Sequence, residues 1–256
     1  ELSFTFTSPG PWYSDRYSYA RIRSAASPAS DCKLVSVFDG ATLKLTTTNV
    51  RTLEIDAKAL VAKGITSLEI DGKAEKLGQE TLILGPQTGK RPGVHGPFNQ
   101  VMHTPWCWIW NDGAQGYAAY ASYLSTTWAF IGNGQACALP ASRLTAEVKA
   151  AYNLIHLGRT PAEAGAPAFI SWDGSGATVG GKTFPGAAVQ LIWDDGKRLA
   201  AAISAPTGQE RLLWMVVPFS SRSGMPDFLL WSGKGLAATG NFDADWKLDP
   251  THAVGL

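Results

Sequence analysis

GKRPGVHGPFNQVMHTPWCWIW, residues Gly89–Trp110, is the stretch on which the fold turns. Gly93, Gly96 and Pro97 bracket His95, so the backbone there can enter conformations closed to other residues. Pro97 followed by FNQVM suits the first turn of a short helix, expected over 98–103. Trp106–Trp110 then has the length and aromatic content of a buried strand. Its alternation puts Trp106, Trp108 and Trp110 on one face and Cys107 and Ile109 on the other. Everything before this stretch reads as β, and everything after it as mixed α and β.

Upstream, short apolar runs recur at even spacing: LSFTF, YSYARIR, KLVSVF, ATLKLTT, VRTLEI, ITSLEI and TLIL. Asp39-Gly40 and Asp71-Gly72 separate neighbouring runs, and Asp-Gly supplies the positive φ angles of tight hairpin turns. Alternation at Leu43 and Leu45 and at Leu53 and Ile55 gives each strand one inward face. The one helix expected here is 57–63, closed by Gly64. Residues 1–88 therefore read as a β-sandwich-like module.

Downstream, GPQTGKRPGVHGP is too rich in Gly and Pro for regular structure and reads as a linker or surface loop. A helix is expected over 117–130, where Tyr117, Tyr120, Leu124 and Trp128 fall on one face. A second is expected over 145–152, capped by Thr145, and a third opens at Pro161 with Thr160 as its cap. Strands NLIHLG, AFISW, VQLIW, LAAAIS, RLLWMVV and DFLLW complete the pattern, with Asp195-Gly196 as a turn. Strand, helix, strand, helix is the order of a parallel sheet with crossover helices. Residues 89–256 read as a three-layer Rossmann-like α/β domain with an antiparallel extension.

Of the 256 residues, 45% are hydrophobic and 17% charged, ample for a core. Twenty-two basic residues against 21 acidic ones give a net charge of +1, and no field for nucleic acid or an anionic membrane. No apolar run reaches the ~20 residues that span a bilayer. Cys32, Cys107 and Cys137 lack CxxC spacing, and three is an odd number, so at most one intramolecular disulfide forms, its pairing open. The start at Glu1 without a leader reads as a processed product or excised fragment. Ten Trp, few Lys and Ser/Thr/Gly-rich segments lean towards a secreted or periplasmic protein.

Five short motifs occur in order: Thr48-Asn49-Val50, the strand end Leu68–Gly72, KRPGVHGPF over Lys90–Phe98, NLIHLG with its proline over Asn153–Pro161, and VGGKTF over Val179–Phe184. Together, over about residues 40–231, they resemble the C-terminal region of large secreted bacterial prolyl-oligopeptidase-like or α/β-hydrolase esterase proteins. In that family the Ser, Asp and His stand in a separate upstream module, which this chain does not match. The resemblance thus implies an accessory region and carries no catalytic residue across. It also departs at Asn99 and Gln100, where the relatives carry acidic residues.

No GxSxG nucleophile turn is present; Gly174-Ser175-Gly176 and Ser221-Arg222-Ser223-Gly224 read as turns. His95 and His103 lack the third ligand a zinc site wants, so no metal is expected. Gly132-Asn133-Gly134 and Gly85–Lys90 lack the remaining parts of nucleotide-binding loops, so no cofactor is expected. His95, in its Gly/Pro loop, is the candidate general base or substrate donor, with Asp112 as a possible acid. His156 reads as a buried strand residue. Trp106, Trp108 and Trp110 would stack on sugar rings if exposed and form core if the strand is central; Trp12 with Tyr13, Tyr17 and Tyr19 is a second possible platform. The expectation is a noncatalytic accessory fragment of a secreted hydrolase, partnered by an upstream hydrolase module or by its own copies. A saccharide-binding module and a stand-alone hydrolase acting through His95 are the alternatives.

Overall fold

A computed structural model describes residues 1–28, 30–78, 80–216 and 225–256. It is a mixed α/β structure with several sheets. Two compact units emerge: Glu1–His95 with Asp243–Lys247, and Gly96–Phe242 with Leu248–Leu256. Nothing in the sequence signals that the chain returns to the first unit at Asp243.

The first unit holds β1 (Phe4–Ser8), β2 (Arg16–Tyr17), β3 (Ala20–Ala25), β4 (Cys32–Asp39), β5 (Thr42–Thr48) and β6 (Val50–Asp56). After α1 (Ala57–Ala62) come β7 (Ser67–Ile70), β8 (Lys73–Glu75) and β9 (Thr81–Leu84). They form a five-stranded sheet ordered β1-β4-β5-β7-β8 and a four-stranded sheet ordered β2-β3-β6-β9. Gly40 turns β4 into β5 at φ 64°, and Asp71 and Gly72, at φ 49° and 78°, turn β7 into β8. Asp56 caps α1 by accepting the Ala59 N–H. The alternating inward residues Ile22, Leu34, Leu43, Leu68 and the helix residue Leu60 are fully buried in one cluster. Each such side chain contributes about 1.5–3 kcal/mol through its removal from water.

The second unit opens with a 3-10 helix, Phe98–Met102, where the sequence leads to an expected helix. Then follow β10 (Trp106–Trp110), α2 (Gln115–Ile131), β11 (Cys137–Pro140), α3 (Ala146–Ala151), β12 (Asn153–Leu157) and α4 (Pro161–Ala164). The strands β13 (Ile170–Asp173), β14 (Gly176–Val179) and β15 (Lys182–Pro185) make a separate three-stranded antiparallel sheet. Last come β16 (Ala188–Asp194), β17 (Leu199–Ser204), β18 (Phe228–Ser232), β19 (Gly235–Gly240) and β20 (Ala253–Val254). The main sheet has eight strands ordered β11-β10-β12-β17-β16-β18-β19-β20. Its first four strands are mutually parallel, and from β16 onward the pairing is antiparallel.

In-register neighbours share a face. Trp108, Ile155 and Ala201 line one side of the main sheet, and Ile109, His156 and Ala202 the other. On the first side Trp128 of α2 meets Trp106 edge-on at 4.6 Å. On the second, β14 packs against β16, and Phe242 stacks on Phe228 at 5.6 Å while Phe169 meets Phe242 edge-on at 5.1 Å. Thr160 and Glu163 form a reciprocal capping box on α4, and Gly165 ends it in the left-handed region.

One expectation is corrected. RLLWMVV is not a strand: Glu210–Met215 is a 3-10 helix, and Val217 lies outside the described residues. Leu212 and Leu213 are adjacent and both buried, and the Leu212 carbonyl accepts the Trp231 indole N–H at 2.8 Å. The helix α3 forms with its Thr145 cap, and Leu144 and Val148 are half-buried beside it. Strand β11 has no counterpart in the sequence reading. Gly174 and Ser175 do make the expected turn between β13 and β14, whereas Ser221–Gly224 lies outside the described residues.

Candidate functional site

His95 belongs to the first unit and Asp112 to the second. The His95 ring lies over Trp12, with centroids 5.5 Å apart and planes 29° apart. Beside it is a cavity of only about 10 Å3, lined by Pro11, Trp12, Lys90 and Ala244 among others, with room for roughly one water. The loop around it is tied down rather than free. Lys90 is 5% exposed, with its ammonium 5.0 Å from the centre of the Trp246 ring. A Cβ at Gly89 would sit 2.2 Å from the Ala244 carbonyl oxygen, so only glycine fits there. Tyr19, from the second aromatic candidate group, is buried and hydrogen-bonded to Ser36, its hydroxyl pushed up to about 12 by burial.

The alternation at Trp106–Trp110 is as the sequence implies, but the strand is internal, between β11 and β12. Trp108 is fully buried, Trp106 is 8% exposed and Trp110 is half-buried. A three-indole stacking platform is therefore replaced by core, and only the ends of the strand reach a surface. Cys107, on the opposite face, is joined to Cys137 in a disulfide between directly paired positions of β10 and β11. Cys32 stays a buried thiol, raised to about 11 by burial and then by Asp31.

The polar cluster that the sequence did not reveal lies at the carboxyl ends of β10 and β12. From β10 the chain passes to β11 on one side, and from β11 to β12 on the other side, so the strand order reverses at β10. Crevices at such reversals are where open parallel sheets gather ligands. Asn111 follows β10; its amide donates to both Glu163 carboxylate oxygens at 3.2 and 3.1 Å. The Asn111 amide oxygen accepts Arg159 Nε at 3.1 Å, and Arg159 Nη1 reaches His156 Nδ1 at 3.2 Å. Since arginine only donates, Nδ1 accepts and the ring proton belongs on Nε2. Burial, then Arg159, holds His156 down to about 4, so it is a neutral imidazole and a weak base. Glu163 is held below the carboxylate range chiefly by the Thr160 backbone N–H and the Asn111 amide. Asp112 is lowered by the Ser142 hydroxyl and then by its N–H, at 2.6 and 3.0 Å.

Gly158, at φ 65°, lies beneath Tyr117, where a Cβ would come within 2.1 Å of the ring. The Tyr117 hydroxyl accepts the Ala205 N–H at 3.0 Å and lies 3.3 Å from the Ala205 carbonyl. A cleft of about 610 Å3 runs from Arg159 and Glu163 along the second sheet face, over Leu154 and Ala200, to Lys149 and Asp195. It offers both signs of charge for holding a polar ligand. Its histidine does not offer a base for proton abstraction at neutral pH. Among the described residues, no group of three or more His, Cys, Asp or Glu side chains is placed to hold a metal ion. Among them too, no helix is long and apolar enough to cross a membrane.

No protein-family model matches the chain, and no curated protein or solved structure is significantly similar to it.

Proposed function

We propose that this chain is a noncatalytic accessory region of a larger secreted hydrolase of peptidase or esterase type, packing on its catalytic module or shaping access to it. The observation that carries the reading is an exposed aromatic face on the second unit. Tyr123 of α2 and Trp214 stand with ring centroids 4.6 Å apart, Trp214 is 50% exposed and Met215 58% exposed. Phe130, seven residues on and on the same side of the helix, is 85% exposed. Aromatic and methionine side chains gathered in the open are what the buried centre of a protein interface is made of. The paired sheets of the first unit support a β-sandwich-like module, and the four parallel strands of the second a Rossmann-like one with an antiparallel extension. The Cys107–Cys137 disulfide favours an oxidising compartment, secreted or periplasmic.

The test begins with the complete reading frame, which should encode a GxSxG-bearing module upstream. That module is then titrated with this chain carrying Trp214→Ser or Tyr123→Ser. Affinity should fall about tenfold or more, as for the loss of an aromatic anchor. A frame without such a module, or unchanged affinity in both variants, contradicts the reading.

A further inference from the structure

At the opposite end of the parallel strands is a second cleft, of about 620 Å3, which the accessory reading does not use. It is built where β10, β11 and β12 begin: Trp106 opens β10, Cys137 opens β11, and Tyr152 immediately precedes β12. Trp128 of α2 forms the facing wall, perpendicular to Trp106 at 4.6 Å. His103, Thr104 and Gln135, all exposed, line its mouth. None of the described residues around it is Asp, Glu, Lys or Arg.

We infer that this cleft binds an uncharged sugar ring. Indole and phenol rings give flat apolar surfaces for the C–H faces of a pyranose. Imidazole, hydroxyl and carboxamide groups donate and accept, which suits hydroxyls that do both. A lining without formal charge gives a phosphate, uronate or ammonium nothing to offset the water it loses on entry. Its volume falls within the ~300–1,000 Å3 of small-molecule sites.

The aromatic wall is held in position before any ligand arrives. The turn after α2 presses on Trp128: a Cβ at Gly132 would lie 2.5 Å from the indole and one at Gly134 3.2 Å from its nitrogen. Only glycine at 132 lets the backbone lie that close, and the contact fixes the ring. On the other side, the disulfide ties Cys137 to the buried strand that carries Trp106. Trp106 lines this cleft because it stands at the strand's beginning, whereas Trp108, at the strand's middle, is fully buried.

The experiment is calorimetric titration of the intact chain with neutral probes: glucose, galactose, mannose, xylose and N-acetylglucosamine, each also as a short oligomer. Glucuronate and adenosine serve as charged and flat-ring controls. At least one neutral sugar should bind saturably at millimolar concentration, with glucuronate and adenosine weaker. Trp128→Ala should weaken it about tenfold or more. The exposed double variant His103→Ala/Gln135→Ala should do so with an unchanged circular dichroism spectrum, which covers the case in which Trp128→Ala fails to fold. Trp214→Ser, on the aromatic face, should leave binding unchanged, so the failure of this site and of the docking face are told apart. No saturable binding of any neutral sugar, tighter binding of glucuronate or adenosine, or sugar binding indifferent to the double variant overturns the proposal.

Discussion

Cys107 and Cys137 stand directly opposite one another on adjacent parallel strands, with Cα atoms 4.4 Å apart, and close a loop that contains the whole of α2. The bridge fastens the short edge strand β11 to the buried β10. With a sequence separation of 30, its effect on the unfolded chain amounts to roughly 3–4 kcal/mol. Urea unfolding of the second unit with and without reductant, and of Cys137→Ser, should show a loss of that order. An unchanged midpoint would contradict it.

Gly158→Ala combines a positive φ with a ring that occupies the place of the new methyl group. The substitution must displace Tyr117 and strain the hydrogen bond it accepts from Ala205, costing about 1–3 kcal/mol. Tyr117→Ala in the same background should recover part of the loss by clearing the space. Strict additivity of the two changes would show that the ring contact is not the cause.

His156 gives the protein an acid-side weakness above the carboxylate range. Folded, it resists protonation until about pH 4; unfolded, it takes a proton near 6.5. The unfolded state therefore binds more protons between these values, and stability falls as pH drops from 6.5 towards 4, by at most about 3 kcal/mol. Asp112, Glu163 and Asp173, whose carboxyls are lowered, add to the loss in the same direction only nearer their ordinary range. His156→Gln should flatten the slope of unfolding free energy between pH 6.5 and 5. An equal slope in both proteins would assign it elsewhere.

Leu68 is fully buried in the first unit's core and pairs across β5 with Leu43. Leu68→Ala should cost about 2–5 kcal/mol through lost burial and the cavity left behind. A loss below ~1 kcal/mol, measured by denaturant unfolding, would mean the strand repacks.

What the sequence made legible was local. Asp39-Gly40, Asp71-Gly72 and the Thr160 cap before Pro161 act within a few residues, so their chemistry shows in the order of the letters. Strand β11, CALP, was invisible because four residues ending in proline carry no period; its place comes from β10, thirty residues earlier. RLLWMVV misled because a short apolar run fits strand and helix alike, and burial of the adjacent Leu212 and Leu213 decides between them. The Arg159–Asn111–Glu163 network was hidden for a related reason. Only the parallel register of β10 and β12 brings Asn111 beside Arg159. The Trp alternation was read correctly in direction, yet exposure depends on position along the strand, which separates Trp106 from Trp108.

The claim that this chain has no reactive centre of its own is tested most directly by assaying it alone. A panel of p-nitrophenyl esters and prolyl peptide substrates is offered to the intact chain, to His95→Ala and to Asp112→Asn. The account predicts hydrolysis at the buffer rate in all three. Turnover above that rate that a single one of these substitutions abolishes would contradict it.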